Sequence, residues 1–298
     1  VGAYAMGFAT LLSFPYLQKM VGGNDAHQYA VIGAMLGVVA AVMTLICGLL
    51  TKERLKSKRA EKFSFRQFAD LVHNKAWLYM TAIAVCTNFF NGFRYAVAGY
   101  MFEYCLHGNV TIEGLIINYT VFMAFGEVTC MIFGGLSPVF TKTVGSKRMA
   151  FFWSALLCLV LSIAFFFIPM SPDYIWVMIA LVILTSIGIG IYSPLMWSMY
   201  ADVADYHTEH FGTSATGLIF SSGTMSQKFG TAISGSLIAL FLGWAGANMI
   251  TDKMGNTVID PTSITDSVLM MVWSLFSLFP AAIAFLLMVL SYKFPIKK

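Results

Sequence analysis

The sequence predicts an all-α, polytopic transmembrane helical bundle, and three observations carry that expectation. Of the 298 residues, 58% are hydrophobic and 11% charged, against about 45–50% and about 25% in soluble domains. The apolar residues gather into eight stretches, each near the roughly 17–25 residues a helix needs to cross a ~30 Å hydrocarbon core. Segments alternating with a period of two are absent, so an outer-membrane barrel is disfavoured and helices remain as the way to satisfy the backbone in lipid.

The expected spans are 1–17, 30–50, 77–99, 114–139, 149–169, 174–198, 215–243 and 268–292. The chain begins at Val1, inside apolar sequence, and is read as lacking an N-terminal portion. Residues 51–76 form a basic loop in which Phe63, Phe65, Phe68, Leu71 and Val72 are interspersed with polar residues. That pattern fits a short helix lying in the headgroup region. Pro194, near the end of the sixth span, and Pro280, inside the last, are tolerable because neighbouring groups re-satisfy the freed backbone.

Charge fixes the expected topology. Placing 51–76, 140–148, 199–214 and the tail from Lys293 on one side collects every lysine and arginine except Lys19, Lys253, Arg94 and Lys228. Basic residues mark the cytoplasmic side, so an even number of spans separates loop from tail and the C-terminus is expected in the cytoplasm. Residues 1–50 then supply two spans, 51–76 the cytoplasmic central loop and 77–298 six spans. Six spans after a long basic loop suggest a two-halved transporter of six plus six: the first half keeps its last two spans, and substrate sits at the midplane between halves. The net charge of +4 follows this topology and does not point to nucleic acid.

Lys228 is the most informative residue. It lies about fourteen residues from either end of the seventh span, where a cation costs roughly 3 kcal/mol and snorkelling reaches poorly. A cation kept there usually faces a hydrated cavity, an anionic group or a polar solute. Thr224 is four residues before it and Ser221 three before that, so the three share a helix face. Gln227 projects nearby, and Gly217, Gly223, Gly230, Ser234 and Gly235 offer small surfaces for close helix approach. In the third span Asn88, Asn91 and Arg94 form a ridge at three-residue spacing. Arg94 suits either neutralisation of Glu127 or bidentate binding of solute hydroxyls, or a position near the outer headgroups.

Glu127 is the carboxylate set well inside an apolar span. It is open to four roles: partner of a cation, proton carrier, substrate contact or structural polar bond. Tyr192 and Trp197 are aromatic platforms of the kind that stack on sugar rings, and also ordinary interfacial anchors. Asp202 and Asp205 are placed to pair with Lys147 or Arg148 and hold a cytoplasmic gate shut. His207 and His210 share a face only if the helix continues past Tyr206, and with no third ligand nearby a metal site is not expected. Cys47, Cys86, Cys105, Cys130 and Cys158 have no metal or disulfide spacing and read as small buried hydrophobes.

The combination Ala201-Asp202-Val203-Ala204-Asp205-Tyr206, Ala215-Thr216-Gly217-Leu218-Ile219-Phe220-Ser221 and Gln227-Lys228-Phe229-Gly230 resembles the glycoside–pentoside–hexuronide:cation symporters, the melibiose-permease-like branch of the major facilitator superfamily. The likeness extends to Thr51-Lys52-Glu53-Arg54, to the Asn91, Arg94 and Tyr100 region, and to Gly134-Gly135 with Gly145-Ser146-Lys147-Arg148. It covers essentially the whole chain as the last eight of twelve spans. The resemblance implies a major facilitator fold and sodium- or proton-coupled uptake of a glycoside, pentoside or hexuronide in the bacterial inner membrane. It places Lys228 at the junction of sugar and cation sites and Thr224 beside the cation. It assigns the cation-binding aspartates to earlier spans. Ser193 departs from the family pattern, which has a tryptophan there; Trp197 is about one turn away.

The functional expectation is therefore a secondary active symporter that alternates between inward- and outward-open states. Lys228, Gln227, Arg94, Asn91, Tyr192 and Trp197 are its candidate substrate contacts. Thr224, Lys228 and Glu127 are the candidates for cation coupling. Its expected partners are a small sugar, the lipid bilayer and the N-terminal spans; no cofactor beyond the coupling ion is expected. The alternatives are a lipid or lysolipid transporter of the same superfamily, with Lys228 meeting a phosphate, and a non-transporting solute sensor. An enzyme is disfavoured, because no span holds a histidine or a base paired with serine or cysteine.

Overall fold

A computed structural model of the chain describes residues 25–51, 65–112, 115–212, 215–251 and 257–296, with positions 13, 17, 20 and 21. The expected span 1–17, Lys19, Lys253 and most of the basic loop lie outside the described residues. The helices are α1 (Asp25–Leu50), α2 (Phe65–His73), α3 (Lys75–Tyr100), α4 (Tyr119–Val144), α5 (Lys147–Phe166), α6 (Ile175–Phe211), α7 (Thr216–Trp244), α8 (Asp266–Phe276) and α9 (Leu278–Lys293). The protein is an all-α membrane bundle. Helix α1 is apolar and exposed along almost its whole length, with Ile32 its buried exception among the described residues.

Helices α3 to α9 pack together. Helix α3 lies along α7, α4 along α6, and α5 against both α6 and α9, which in turn touches α3. In lipid this packing is driven by dispersion and close fit, because the tails are as apolar as the side chains. Phe90, Phe93, Phe122, Phe151, Tyr192 and Trp273 are fully buried and fill the centre. Small residues let the backbones approach. A Cβ on Gly190 would stand 3.0 Å from the Cys130 backbone, holding α6 against α4, and one on Gly230 would stand 2.6 Å from the Val85 carbonyl, holding α7 against α3.

Local chemistry sets the boundaries. Asn74 caps α3 by accepting from the Ala76 and Trp77 amides, and its Nδ2 lies 3.2 Å from His207 Nδ1. Asn118 caps α4 through the Val121 amide and Ser146 caps α5 through the Met149 amide. Gly145, at φ 87°, closes α4 in the left-handed conformation and makes the α4–α5 turn possible.

Three features depart from the expected spans. Residues 110–112 and 115–117 pair as a β-hairpin, so α4 starts at Tyr119 rather than near 114. Helix α6 runs 37 residues to Phe211, roughly 55 Å at 1.5 Å per residue, well beyond a hydrocarbon core. The last expected span is two helices, α8 and α9, meeting at Ser277. Pro280 falls in the first turn of α9, where its missing N–H costs no helix bond. A second hairpin, 249–251 with 257–259, joins α7 to α8. It is followed by Asp260, whose carboxylate accepts from the Thr262 amide and hydroxyl; these bonds hold the Asp260 carboxyl below the usual carboxylate range.

Among the described residues five segments are long and apolar enough to cross a membrane: 27–50, 119–144, 147–166, 172–211 and 266–293. Helices α3 and α7 have spanning lengths of 26 and 29 residues but fall short of that apolarity. They carry the asparagine–arginine ridge and Lys228.

Candidate functional site: the Lys228 face of α7

Helix α7 has one packed face and one open face. Ile219, Ser222, Gly223, Ser226, Gly230, Ser234 and Ile238 are buried against α3 and α6. Trp77 Nε1 donates to Ser222 Oγ at 2.8 Å, and Gly223 lies against the Tyr200 ring. Opposite, Gly217, Ser221, Thr224, Lys228, Thr231 and Gly235 are all exposed. Their steps of four and three residues place them on a single stripe. The stripe predicted from Ser221, Thr224 and Lys228 thus extends about two turns beyond the lysine. Thr231 adds a hydroxyl at the same spacing, and Gly235, expected at a helix contact, lies on the open stripe instead.

The small residues divide between the faces. Gly223 and Gly230 serve packing, whereas Gly217 and Gly235 meet nothing within 4 Å. Among the described residues Lys228 has no ion-pair or hydrogen-bond partner. Gln227 is half-buried at the stripe's edge. On the other edge an apolar groove of about 480 Å³ is lined by Met225, Phe229, Ala232, Ile233, Ser236 and Leu237 together with Lys228.

The α3 residues occupy a different place. Arg94 is buried, at 5% exposure, with its guanidinium 5.8 Å from the Phe90 ring centroid and 5.9 Å from that of Phe276. A cation over aromatic faces gains electrostatic attraction without an acid. Glu127 is also buried, at 7%, but Arg94 and Glu127 form no ion pair; among the described residues the ion pair is Lys147–Asp202. Asn91 and Arg94 line a pocket of about 10 Å³ between α3, α4 and α6, with Gly126, Cys130 and Ser186. The Asn91 Oδ1 there has no hydrogen-bond partner. All five cysteines are free thiols, and Cys105, Cys130 and Cys158 are buried.

The aromatic candidates also separate. Tyr192 is fully buried and stacks on Phe151 at 5.2 Å inside the bundle, away from the α7 stripe. Trp197 is 36% exposed and lies parallel to Phe220 of α7 at 6.4 Å, one turn before Thr224. Phe220, unremarked in the sequence, connects the tryptophan to α7.

At the start of α5, Lys147 Nζ donates to Asp202 Oδ2 at 2.7 Å, tying α5 to α6. Asp205 is exposed. Arg148 instead donates to the Phe294 carbonyl at 3.5 Å and sits over the Tyr292 ring. Helix α6 does continue past Tyr206, but His207 is buried and His210 exposed. No metal-binding cluster occurs among the described residues.

The family described as MFS/sugar transport protein matches residues 1–298. The chain is 26% identical over 241 residues to the inner membrane symporter YicJ of Escherichia coli (strain K12), covering 80% of this chain and 50% of that protein. It is 23% identical over 250 residues to the isoprimeverose transporter of Lactiplantibacillus pentosus, covering 83% and 50%. A glucuronide carrier protein homolog of Escherichia coli (strain K12) is 26% identical over 256 residues, covering 81% and 53%. The chain spans about half the length of the curated relatives it matches.

Proposed function

Since this chain belongs to the MFS/sugar transport protein family, we propose that it is the larger part of the solute-handling machinery of a cation-coupled sugar symporter. The solute is a glycoside, pentoside or hexuronide, the coupling ion is Na+ or H+, and the protein is a multi-pass inner-membrane carrier with a cytoplasmic C-terminus. In this proposal residues 77–298 form the second six-helix half, 51–76 the central loop and 1–50 the last two spans of the first half. It is not an enzyme.

One observation supports the proposal above the others. A lysine in the middle of a 29-residue helix is exposed on a stripe of Ser, Thr and Gly, while the opposite face is packed. An ammonium at that depth needs an anionic or hydroxyl-rich partner, and the stripe is open for one. Lys228 and Thr224 would meet carboxylates and the coupling ion from the first half, while Gln227 and Trp197 flank the sugar. Cation entry reorganises the ammonium's pairing and biases the two-state equilibrium. Arg94, Asn91, Glu127 and Tyr192 stand behind this face. In the proposal the buried Arg94 and Glu127 balance charge inside the half and keep its helices in place. The Lys147–Asp202 pair, with Asp205 and Arg148, belongs to the cytoplasmic gate and acts by holding α5, α6 and α9 as one unit.

The apolar groove beside Lys228 favours a second occupant, a lysolipid whose phosphate meets the ammonium. Reconstitution of the full-length protein separates the two. Counterflow driven by glycosides and indifferent to lysophospholipids is expected. Counterflow driven by lysophospholipids alone would replace the sugar assignment.

A further inference from the structure

At the end of α3 remote from α2 a second cleft opens, of about 630 Å³, within the roughly 300–1,000 Å³ of small-molecule sites. It is walled by Tyr100, Glu103 and Tyr104 from the end of α3 and by Tyr119 from the start of α4. Ile250, Val258 and Ile259 of the second hairpin close it. We propose that this cleft is a carbohydrate-capture site that binds an uncharged pyranose ring before it descends to the Lys228 face. The proposal rests on the sugar-transport reading for the identity of its occupant.

Three features carry it. The first is chemistry. Tyr100 and Tyr104 are stacked at 6.2 Å with an interplanar angle of 18°, and Tyr119 is half exposed. Flat apolar rings beside a carboxylate match a sugar, whose C–H face is apolar and whose rim is hydroxyls. The exposed Glu103 accepts from hydroxyls and disfavours an anionic sugar. The second is backbone. Residues 101–105 form a π-helical turn, with the Leu106 amide bonding to the Met101 carbonyl at 3.1 Å. Such turns are uncommon and gather at functional sites. This one sets Glu103 and Tyr104 at the cleft. Tyr104 is then fixed from across the cleft: it accepts from the Ile259 amide at 3.0 Å and donates to the Ile259 carbonyl at 3.4 Å. The third is continuity. Ala96, Gly99 and Glu103 continue the less buried face of α3. Lower down, α3 meets α7 at Gly230, beside Asn88. Fifteen residues separate the two levels along the helix, roughly 22 Å.

The test uses full-length protein in right-side-out vesicles, with 4-azidophenyl β-D-xylopyranoside and β-D-glucopyranoside as photoreactive probes. Irradiation followed by peptide mapping is expected to label the 100–119 or 249–261 segment, and to do so equally when Lys228→Ala has removed accumulation. Glu103→Gln is expected to raise the half-saturation for glycoside uptake about 10-fold. Tyr119→Ala is expected to raise it about 5-fold, with Tyr119→Phe restoring it. Maximal rates stay unchanged in all three. Labelling confined to other segments, or half-saturation values within two-fold of the parent, would show the tyrosines to be interfacial anchors and overturn the proposal. Labelling of the cleft in a protein that transports no glycoside supports the capture site and instead removes the transport reading.

Discussion

Two intramembrane cations of this protein live in opposite circumstances. Lys228 stands on an open stripe of small and hydroxylated residues, without a partner among the described residues. Arg94 is enclosed by three helices and rests over two phenylalanine rings. Both sit at depths where charge is costly, yet only the first is placed to exchange one partner for another. A guanidinium satisfied by ring faces has a fixed environment and serves the architecture. An ammonium on an open face keeps its pairing for whatever arrives, as a switching element requires. In the proposed reading the exposed face, and not depth alone, separates a functional cation from a structural one.

Substitutions should separate the two. The largest effect is expected for Lys228→Ala in the full-length carrier. It should abolish concentrative uptake, slowing it at least about 100-fold, the scale of a ~3 kcal/mol charge-assisted contact. Insertion and thermal unfolding should be little changed, because the side chain is exposed and makes no hydrogen bond or ion pair among the described residues. Flux assays and differential scanning calorimetry measure both. Arg94→Ala should behave the other way. Losing two ring contacts and opening a void costs about 2–4 kcal/mol, seen as a lowered Tm, while sugar exchange persists at temperatures where the protein remains folded. Equal loss of transport in both variants at unchanged stability would erase the distinction.

Gly230→Ala sharpens the comparison by attacking the packed face of the same helix. Its Cβ would meet the Val85 carbonyl at 2.6 Å, so α3 and α7 must part. Destabilisation of about 1–3 kcal/mol is expected, whereas Gly235→Ala on the open stripe should leave the unfolding free energy within about 0.5 kcal/mol of the parent. A small effect is also expected for Asp202→Asn. The Lys147–Asp202 pair is partly exposed, at 28% and 13%, so its loss should cost about 0.5–1 kcal/mol and shrink further in high salt. A larger change in inward–outward exchange rate than in Tm would assign the pair to gating.

Much of the bundle was legible in the sequence because lipid leaves few solutions for a 20-residue apolar run. The misplacements have local causes. The residues 110–117 are apolar enough to extend a span, but they pair as short strands. The α6 extension from Asp202 to Phe211 is polar, so hydropathy ends where the helix does not. Pro280 reads as lying inside one continuous span, whereas it sits in the first turn of a new helix that follows Ser277. For the site, the spacing of Ser221, Thr224 and Lys228 placed them on a common face correctly, since helix periodicity is local. The burial of Arg94 and Tyr192 was not legible. Which face of α3 or α6 turns inward depends on partners far along the chain, such as Phe276 and Phe151, and no local pattern names them.

The account turns on whether the Lys228 stripe faces water and solute. The direct measurement is the reactivity of Lys228→Cys in full-length protein, with the native cysteines replaced, toward a charged, membrane-impermeant methanethiosulfonate reagent. Phe229→Cys, in the apolar groove beside the stripe, is the reference. Rapid modification at position 228, slowed by transported glycoside and far exceeding that at 229, is the predicted result. Modification at 228 no faster than at 229, and unaffected by any glycoside, would contradict it.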